Sequence, residues 1–319
     1  MMALFLAEND VKQVLTVEMA LEAVESAHRD LALGQALDTP RQRSRLPQTV
    51  LHILQGALPA QGVIGYKAYT SNKSGNRFLV HLFDAASGQL KAVIEADFLG
   101  MVRTGAASGV AARWLARPEA KVAGVFGTGW QAEGHVRAIC AALPIELVKV
   151  FGRKADKLQS FCARLSELTG RSVVPAACAE DTVRDSDLIG TVTTAAQPLF
   201  EADWLSPGVH INAAGSNALI RQEVSEAAIR RCDLIAVDSV ATALAEAGDL
   251  LPLLEKGRLH VRQMVELGEV IIGRQAGRTD AEQITLFESQ GMAVQDLALA
   301  LRVLNAAQAR GLGVALPMQ

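Results

Sequence analysis

Near the start of the chain, apolar residues recur at three- and four-residue steps: Val14, Val17, Ala20, Leu21, Val24, Ala27 and Leu31. That period places them on one face of an amphipathic helix over residues 11–33, with Thr16 and Glu18 near its start. From residue 39 to about 95 the texture changes to short runs such as TVLHILQG, GVIGYKAYT, RFLVHLFD and LKAVIEA, parted by the turn formers NKSGN and ASG. These runs predict an antiparallel or mixed sheet. A helix rich in small residues is predicted from Thr104 to Ala116, and Pro118 marks a break after it.

From Ala120 onward, apolar runs at 121–126, 147–151, 188–192, 209–213 and 234–237 alternate with helical patterns at 130–142, 154–168, 222–231 and 239–247. Continuous apolar strands between helices require a parallel sheet covered on both faces. The alternation ends near residue 285, and a last helix is predicted over 290–310, stopped by Gly311 and Gly313. The fold class is therefore α/β, a doubly wound parallel sheet joined to an α+β domain. Its 319 residues exceed what one core usually supports. Residues 119–288 are assigned to the doubly wound domain, and residues 1–118 with 289–319 to the other.

Half of the residues are apolar and one fifth are charged, which excludes a disordered chain. A net charge of −3 offers no field for nucleic acid or an anionic membrane. No run of 18 apolar residues spans a bilayer, and the N-terminus lacks the cationic region of a secretory signal, so the expected location is the cytoplasm. Cys140, Cys162, Cys178 and Cys232 form no C-x-x-C pair, and the dispersed histidines show no metal-ligand spacing. Free, mostly buried thiols and no metal are expected.

An apolar strand runs directly into Gly127-Thr128-Gly129-Trp130-Gln131-Ala132, and a helical pattern follows. In that context G-x-G-x-x-A is the turn that holds a dinucleotide diphosphate. The first glycine permits the turn, the second admits the phosphate to the backbone, and Ala132 packs the helix on the strand. The helix N-terminus supplies free N–H donors. Thr128 and Gln131 join the candidate cofactor contacts. About 20 residues on, an NAD site wants a carboxylate for the ribose 2′-hydroxyl. This chain has Gly152, Arg153 and Lys154 there. A guanidinium suits a 2′-phosphate, so NADP(H) is preferred, with NAD(H) as the alternative. Thr193 and Thr194 follow another strand and complete, with Thr104, Asn212 and Asp296, the candidate cofactor set; Asp296 also reads as partner to a ligand-binding cation.

Three kinds of cation stand out in the first domain. Arg41, Arg43 and Arg45 alternate through RQRSR and share one face of an extended strand. Lys67 interrupts an apolar strand, where a lysine is costly without a partner. Arg103 sits at the mouth of the predicted helix from Thr104. Together they suggest a clamp for a small carboxylate.

The segments GVIGYKAYT, VRTGAASG, VAGVFGTGWQAEGHVRAI, INAAGSN and ITLFESQGMAVQDLALA resemble the ornithine cyclodeaminase/μ-crystallin family over almost the whole chain. The resemblance implies a homodimer with a central Rossmann domain for the nicotinamide cofactor. It implies that Lys67, Arg103 and one arginine of the 41–45 cluster, taken as Arg43, bind the substrate carboxylate. The informative departure is INAAGSNALIRQEV, where ornithine cyclodeaminases resemble I-x-G-G-D-x-P-G-K-T-E-L. Asn217 stands in place of their Asp; a neutral amide cannot act as a base or balance an ammonium, and Asn217 is expected to contact substrate or the nicotinamide amide through neutral hydrogen bonds.

The expected activity is therefore NAD(P)H-dependent reduction of the C=N bond of a small α-imino acid, a cyclic ketimine such as Δ1-pyrroline-2-carboxylate or Δ1-piperideine-2-carboxylate first. The alternatives are an alanine-like amino-acid dehydrogenase, an ornithine cyclodeaminase-type lyase, and a nucleotide-binding protein without activity. Tyr66, Tyr69, Asn72, Met101 and Leu219 are candidates for reading the substrate's far end.

Overall fold

The computed structural model of the protein describes residues 2–317. Along the chain run β1 (Leu4–Leu6), α1 (Glu8–Val14), α2 (Val17–Ala32), β2 (Leu37–Arg45), β3 (Val50–Leu58), β4 (Val63–Asn72), β5 (Gly75–Asp84), β6 (Leu90–Glu95) and α3 (Asp97–Leu115). Then follow β7 (Val122–Phe126), α4 (Trp130–Ala142), β8 (Leu147–Phe151), α5 (Ala155–Thr169), β9 (Ser172–Pro175), α6 (Ala179–Val183), β10 (Leu188–Thr191), β11 (His210–Ala213), α7 (Glu226–Ile229) and β12 (Leu234–Val237). The chain ends with α8 (Val240–Glu246), α9 (Leu251–Glu255), β13 (Met264–Glu266), α10 (Leu267–Ile271), β14 (Thr285–Glu288), α11 (Ala293–Ala309) and β15 (Val314–Ala315). Two compact units result, Met1–Arg103 with Gly291–Gln319, and Thr104–Gln290.

The first unit is built on a seven-stranded sheet in the order β15-β1-β6-β5-β4-β3-β2, antiparallel from β2 to β6. Strand alternation sorts β4 into two sets. Val63, Gly65 and Lys67 are buried, whereas Ile64 and Tyr66 turn to the other face. Helix α11 closes the buried face, with Ala293 and Val294 against Gly56 and Leu297 against Gly65. The single helix expected over 11–33 is two, because Leu15 and Thr16 are extended and the Thr16 side chain caps α2 by accepting from Met19 N at 3.2 Å.

Helix α3 starts seven residues before the expected Thr104. Its first N–H groups are capped from far away in sequence: Asp97 N donates to Glu8 Oε1 at 2.6 Å, and Phe98 N to the same carboxylate. Arg103 consequently lies inside the helix and not at its mouth.

The second unit is an eight-stranded sheet, ordered β13-β12-β14-β11-β10-β7-β8-β9 and parallel throughout. Val125 and Leu188 pack into one apolar layer with α4 and α5, while Phe126 and Ile189 pack into the opposite one. That is the doubly covered sheet which continuous apolar strands demand. The alternation does not stop near 285, since β14 begins there and pairs with both β11 and β12. The helix expected over 222–231 shrinks to the four residues of α7. Its first part is held in an irregular segment, because Asp249 Oδ1 takes Glu223 N and Val224 N at 2.8 and 3.2 Å. Among the described residues no helix is long and apolar enough to cross a membrane.

Candidate active site

In the first unit, Lys67 and Arg103 are 3% and 6% exposed and share one carboxylate, that of Asp296, which is fully buried. Lys67 Nζ lies 2.6 Å from Asp296 Oδ2, and Arg103 Nε donates to Asp296 Oδ1 at 2.8 Å. Arg103 Nη1 also donates to Gln295 Oε1 at 3.2 Å, and the Gln295 amide meets His28 Nε2 at 3.0 Å. Gly291 makes room for the guanidinium: its φ is +79°, and a Cβ there would lie 2.5 Å from Arg103 Nη1. The arginine is thus pinned along one edge. Asp296 belongs to this cation pair, so its place among the cofactor contacts is corrected to that of a shared counter-ion.

Burial, followed by the charge of Arg103, brings the Lys67 ammonium down to about 7 against the pull of Asp296. Two buried cations against one carboxylate leave positive charge without compensation, a state that an anionic ligand relieves.

The arginine cluster resolves by register. A bulge in β2 falls between Thr39 and Gln42, so Arg41 stands beside Leu54, the residue paired with Lys67. Arg43 instead pairs with His52, and Arg45 with Val50. The charge of Arg41 acts on Lys67. The structure therefore places Arg41, and not the expected Arg43, in the row of Lys67.

In the second unit, β7 runs into Gly127 with φ +122°, where a Cβ would come within 2.6 Å of Val192 O. Gly129 begins α4 without a side-chain cap and with open space where a Cβ would stand. The positive end of the dipole of this 13-residue helix stands at the turn, where it favours an anion. Gln131 Oε1 is buried and has no hydrogen-bond partner among the described residues. Thr128 packs its methyl on Gly152 at the end of β8, next to exposed Arg153 and Lys154. A diphosphate fits this cradle, with Gly127, Thr128, Gly129 and Gln131 around it.

The other candidates divide. Thr194 is exposed after β10, and Thr104 is half-buried on α3. Thr193 donates to Glu223 Oε1 from both its N–H and its hydroxyl at 2.6 Å. Asn217 is half-buried, and its Oδ1 accepts from Arg221 Nη1 at 3.1 Å. Asn212 is fully buried: its amide donates to Ser108 O at 3.2 Å and its Oδ1 faces His210 Nε2 at 3.2 Å. Both ends of that amide serve the fold, which corrects its assignment as a cofactor contact.

Reading the sequence missed a clasp of buried carboxyls behind Asn217. Glu223 also accepts from Gly215 N at 2.7 Å, and Glu288 accepts from Ser216 Oγ and, at 2.9 Å, from Gln290 Nε2. Burial raises the pKa of Glu223, Asp249 and Glu288. The clasp ties together the loops that follow β10 and β11, at the strand ends where open parallel sheets bind ligands.

All four cysteines are free; Cys178 is exposed and the rest are at least partly buried. Burial lifts the Cys140 and Cys162 thiols to about 11, which removes them as nucleophiles.

Residues 1–311 match the sequence profile of the ornithine cyclodeaminase/mu-crystallin family. The chain belongs to that family. A Δ1-pyrroline-2-carboxylate reductase of Bacillus cereus is 38% identical over 236 residues, which is 74% of this chain and 72% of that protein. The structure of the Thermococcus litoralis Δ1-pyrroline-2-carboxylate reductase, in complex with NADH and L-proline, superposes with a TM-score of 0.94 at 27% identity, covering 98% of this chain and all of that one. An archaeal alanine dehydrogenase dimer with bound NAD gives a TM-score of 0.94 at 30% identity over the whole of both chains.

Proposed function

We propose that the protein reduces the C=N bond of a small 2-imino acid to the amino acid, using a reduced nicotinamide dinucleotide. The observation that carries this reading is the pair of buried cations, Lys67 and Arg103, sharing the single carboxylate of Asp296. An α-carboxylate restores charge balance there, and the pinned guanidinium fixes its orientation. A bound reduced nicotinamide supplies the hydride that ends on C2. The nitrogen takes a proton as the C=N bond becomes C–N. Lys67 Nζ, with its pKa near 7, holds a proton at neutral pH and can release it.

NADP(H) is the favoured dinucleotide, because Arg153 and Lys154 stand exposed at the end of β8 where a 2′-phosphate would be read. A cyclodeaminase reaction fits less well. Asn217 is neutral, so it cannot balance a substrate ammonium.

The homodimer is also part of this reading. The sheet face opposite α11 leaves Leu51 and Ile64 37% and 46% exposed, and an apolar face of that kind suits a second copy. The cytoplasm remains the proposed location.

The test follows NADPH and NADH consumption with pyrroline-2-carboxylate, piperideine-2-carboxylate, and pyruvate with ammonia. Turnover of at least one is expected, with NADPH the better reductant. Lys67→Ala and Arg103→Ala should weaken imino-acid use strongly and leave nucleotide binding nearly intact. Wild-type protein that turns over no imino acid with either nucleotide sinks the proposal.

A further inference from the structure

The cations fix one end of the ligand, and the strand register shows what stands beside them. Lys67 on β4 pairs with Leu54 on β3 and Val80 on β5. Two residues further along each strand, on the same face, stand Tyr69, His52 and Phe78, also paired in one row. The spacing between the rows is about 7 Å. Burial changes abruptly between them. Leu54 and Val80 are 1% and 0% exposed, whereas His52, Tyr69 and Phe78 are all half-buried. Asp296 of α11 reaches the row of Lys67, and the aromatic row stands two residues further along the strands.

The three rings form a ladder across the strands. His52 and Tyr69 stack at 4.2 Å between centroids, and Tyr69 and Phe78 follow at 4.6 Å. Rings stacked from strand to strand turn their edges along the strand, so Tyr69 presents an edge toward Lys67. Ring edges carry partial positive charge and are apolar in bulk. His52 Nε2 is engaged with Ser71 Oγ at 3.0 Å, and burial together with Arg43, Arg41 and Arg45 keeps the imidazole neutral, with its pKa down at about 4. The His52 ring also lies between the strand of Arg43 and Tyr69.

We propose that His52, Tyr69 and Phe78 form the wall that reads the far end of the imino acid, and that this wall selects a ring or short aliphatic chain over a cationic end. The inference rests on the reductase reading given above. An ammonium meets ring edges and three arginines of like sign. The methylene groups of a five- or six-membered ring find apolar contact at that distance from the carboxylate clamp. Tyr66, by contrast, stacks with His81 at 4.6 Å on the opposite face, and Met101 is fully buried.

The experiment compares kcat/KM for pyrroline-2-carboxylate, piperideine-2-carboxylate, 2-iminopropionate (from pyruvate and ammonia) and a cationic imine (from 2-oxo-5-guanidinopentanoate and ammonia), in wild type and in Tyr69→Ala, Tyr69→Leu, Tyr69→Phe and Phe78→Ala. Wild type should favour the cyclic substrates over the cationic one. Tyr69→Ala and Phe78→Ala should lose roughly tenfold to a hundredfold on the cyclic substrates, the range expected when apolar contacts to a substrate are removed. Their activity on 2-iminopropionate, too short to reach the wall, should change little, and Tyr69→Phe should retain the wild-type pattern. NADPH titration and thermal melts establish that each variant is folded, and Tyr69→Leu with Phe78→Ala carries the test if Tyr69→Ala is not. Equal losses on all substrates, no loss on any, or wild-type preference for the cationic substrate overturns the wall. Absence of all turnover in wild type overturns the reductase reading instead.

Discussion

At Lys67, burial and the charge of Arg103 act against the pull of Asp296, and the balance leaves an ammonium that titrates at about 7. If that proton reaches the imine nitrogen, reductive kcat/KM should fall as pH rises through about 7. Asp296→Asn removes the group that raises the Lys67 pKa, so the falling limb should move to lower pH. The same variant breaks a buried ion pair and should cost about 3–5 kcal/mol of stability, read from urea unfolding. The linkage sign is also fixed. Between about 7 and the ordinary 10.5, unfolded Lys67 binds a proton that the folded side chain does not. Unfolding free energy should therefore rise with pH across that window, and Lys67→Met should flatten the rise. Lys67 was legible in the sequence because a lysine in an apolar strand is costly unless it has a task. Asp296 was legible only as a partner to some cation, since nothing in QDLALA says which strand it faces. The choice between Arg41 and Arg43 turned on one bulge, which alternation along RQRSR does not reveal.

Among the elements, α3 shows most clearly where local pattern stops being sufficient. Its N-terminal donors are satisfied by Glu8, 89 residues away from Asp97 in sequence. The cap-type residue at the start, Asp97, turns its Oδ1 to Phe78 N instead, so the visible signal is the run of small residues further on. Glu8→Ala should cost about 1–2 kcal/mol, as loss of a helix cap does, and because Arg103 rides on α3 the KM for the imino acid should rise as well. Urea melts and steady-state kinetics on the same sample check both. The short strands β9, β13 and β14 were missed for another reason: runs of three or four residues carry too little periodicity to register. The strand–turn–helix around Gly127 was legible because its geometry leaves few choices of residue. Gly127→Ala places a side chain at φ +122° against Val192 O, and should weaken both nucleotide binding and stability by about 1–3 kcal/mol.

For the whole molecule, the two kinds of strand pattern distinguish the parallel sheet from the antiparallel one. They did not locate the division between the units, which falls within α3 after Arg103, because a continuous helix carries no signal at such a point. Nor does alternation say which face of an antiparallel sheet meets its own helices and which meets another chain. In this fold α11 covers the face of Gly56, Gly65 and Lys67, while Leu51 and Ile64 emerge on the other. The archaeal alanine dehydrogenase that superposes over the whole chain is a dimer. If the exposed face is where two copies of this chain meet, a charge there should separate them without disturbing the fold. The double variant Leu51→Glu/Ile64→Glu places charges on adjacent strands of each copy, which association through this face would have to bury. Light scattering after gel filtration should then give the mass of one chain, where wild type gives two, with an unchanged circular dichroism spectrum. Because Lys67 and Arg103 point to the covered face and into the helix layer, nucleotide binding and the carboxylate clamp should survive in the separated chains. A variant that remains two chains in mass, or a wild type that is already one, places the contact elsewhere and leaves the apolar face without this explanation.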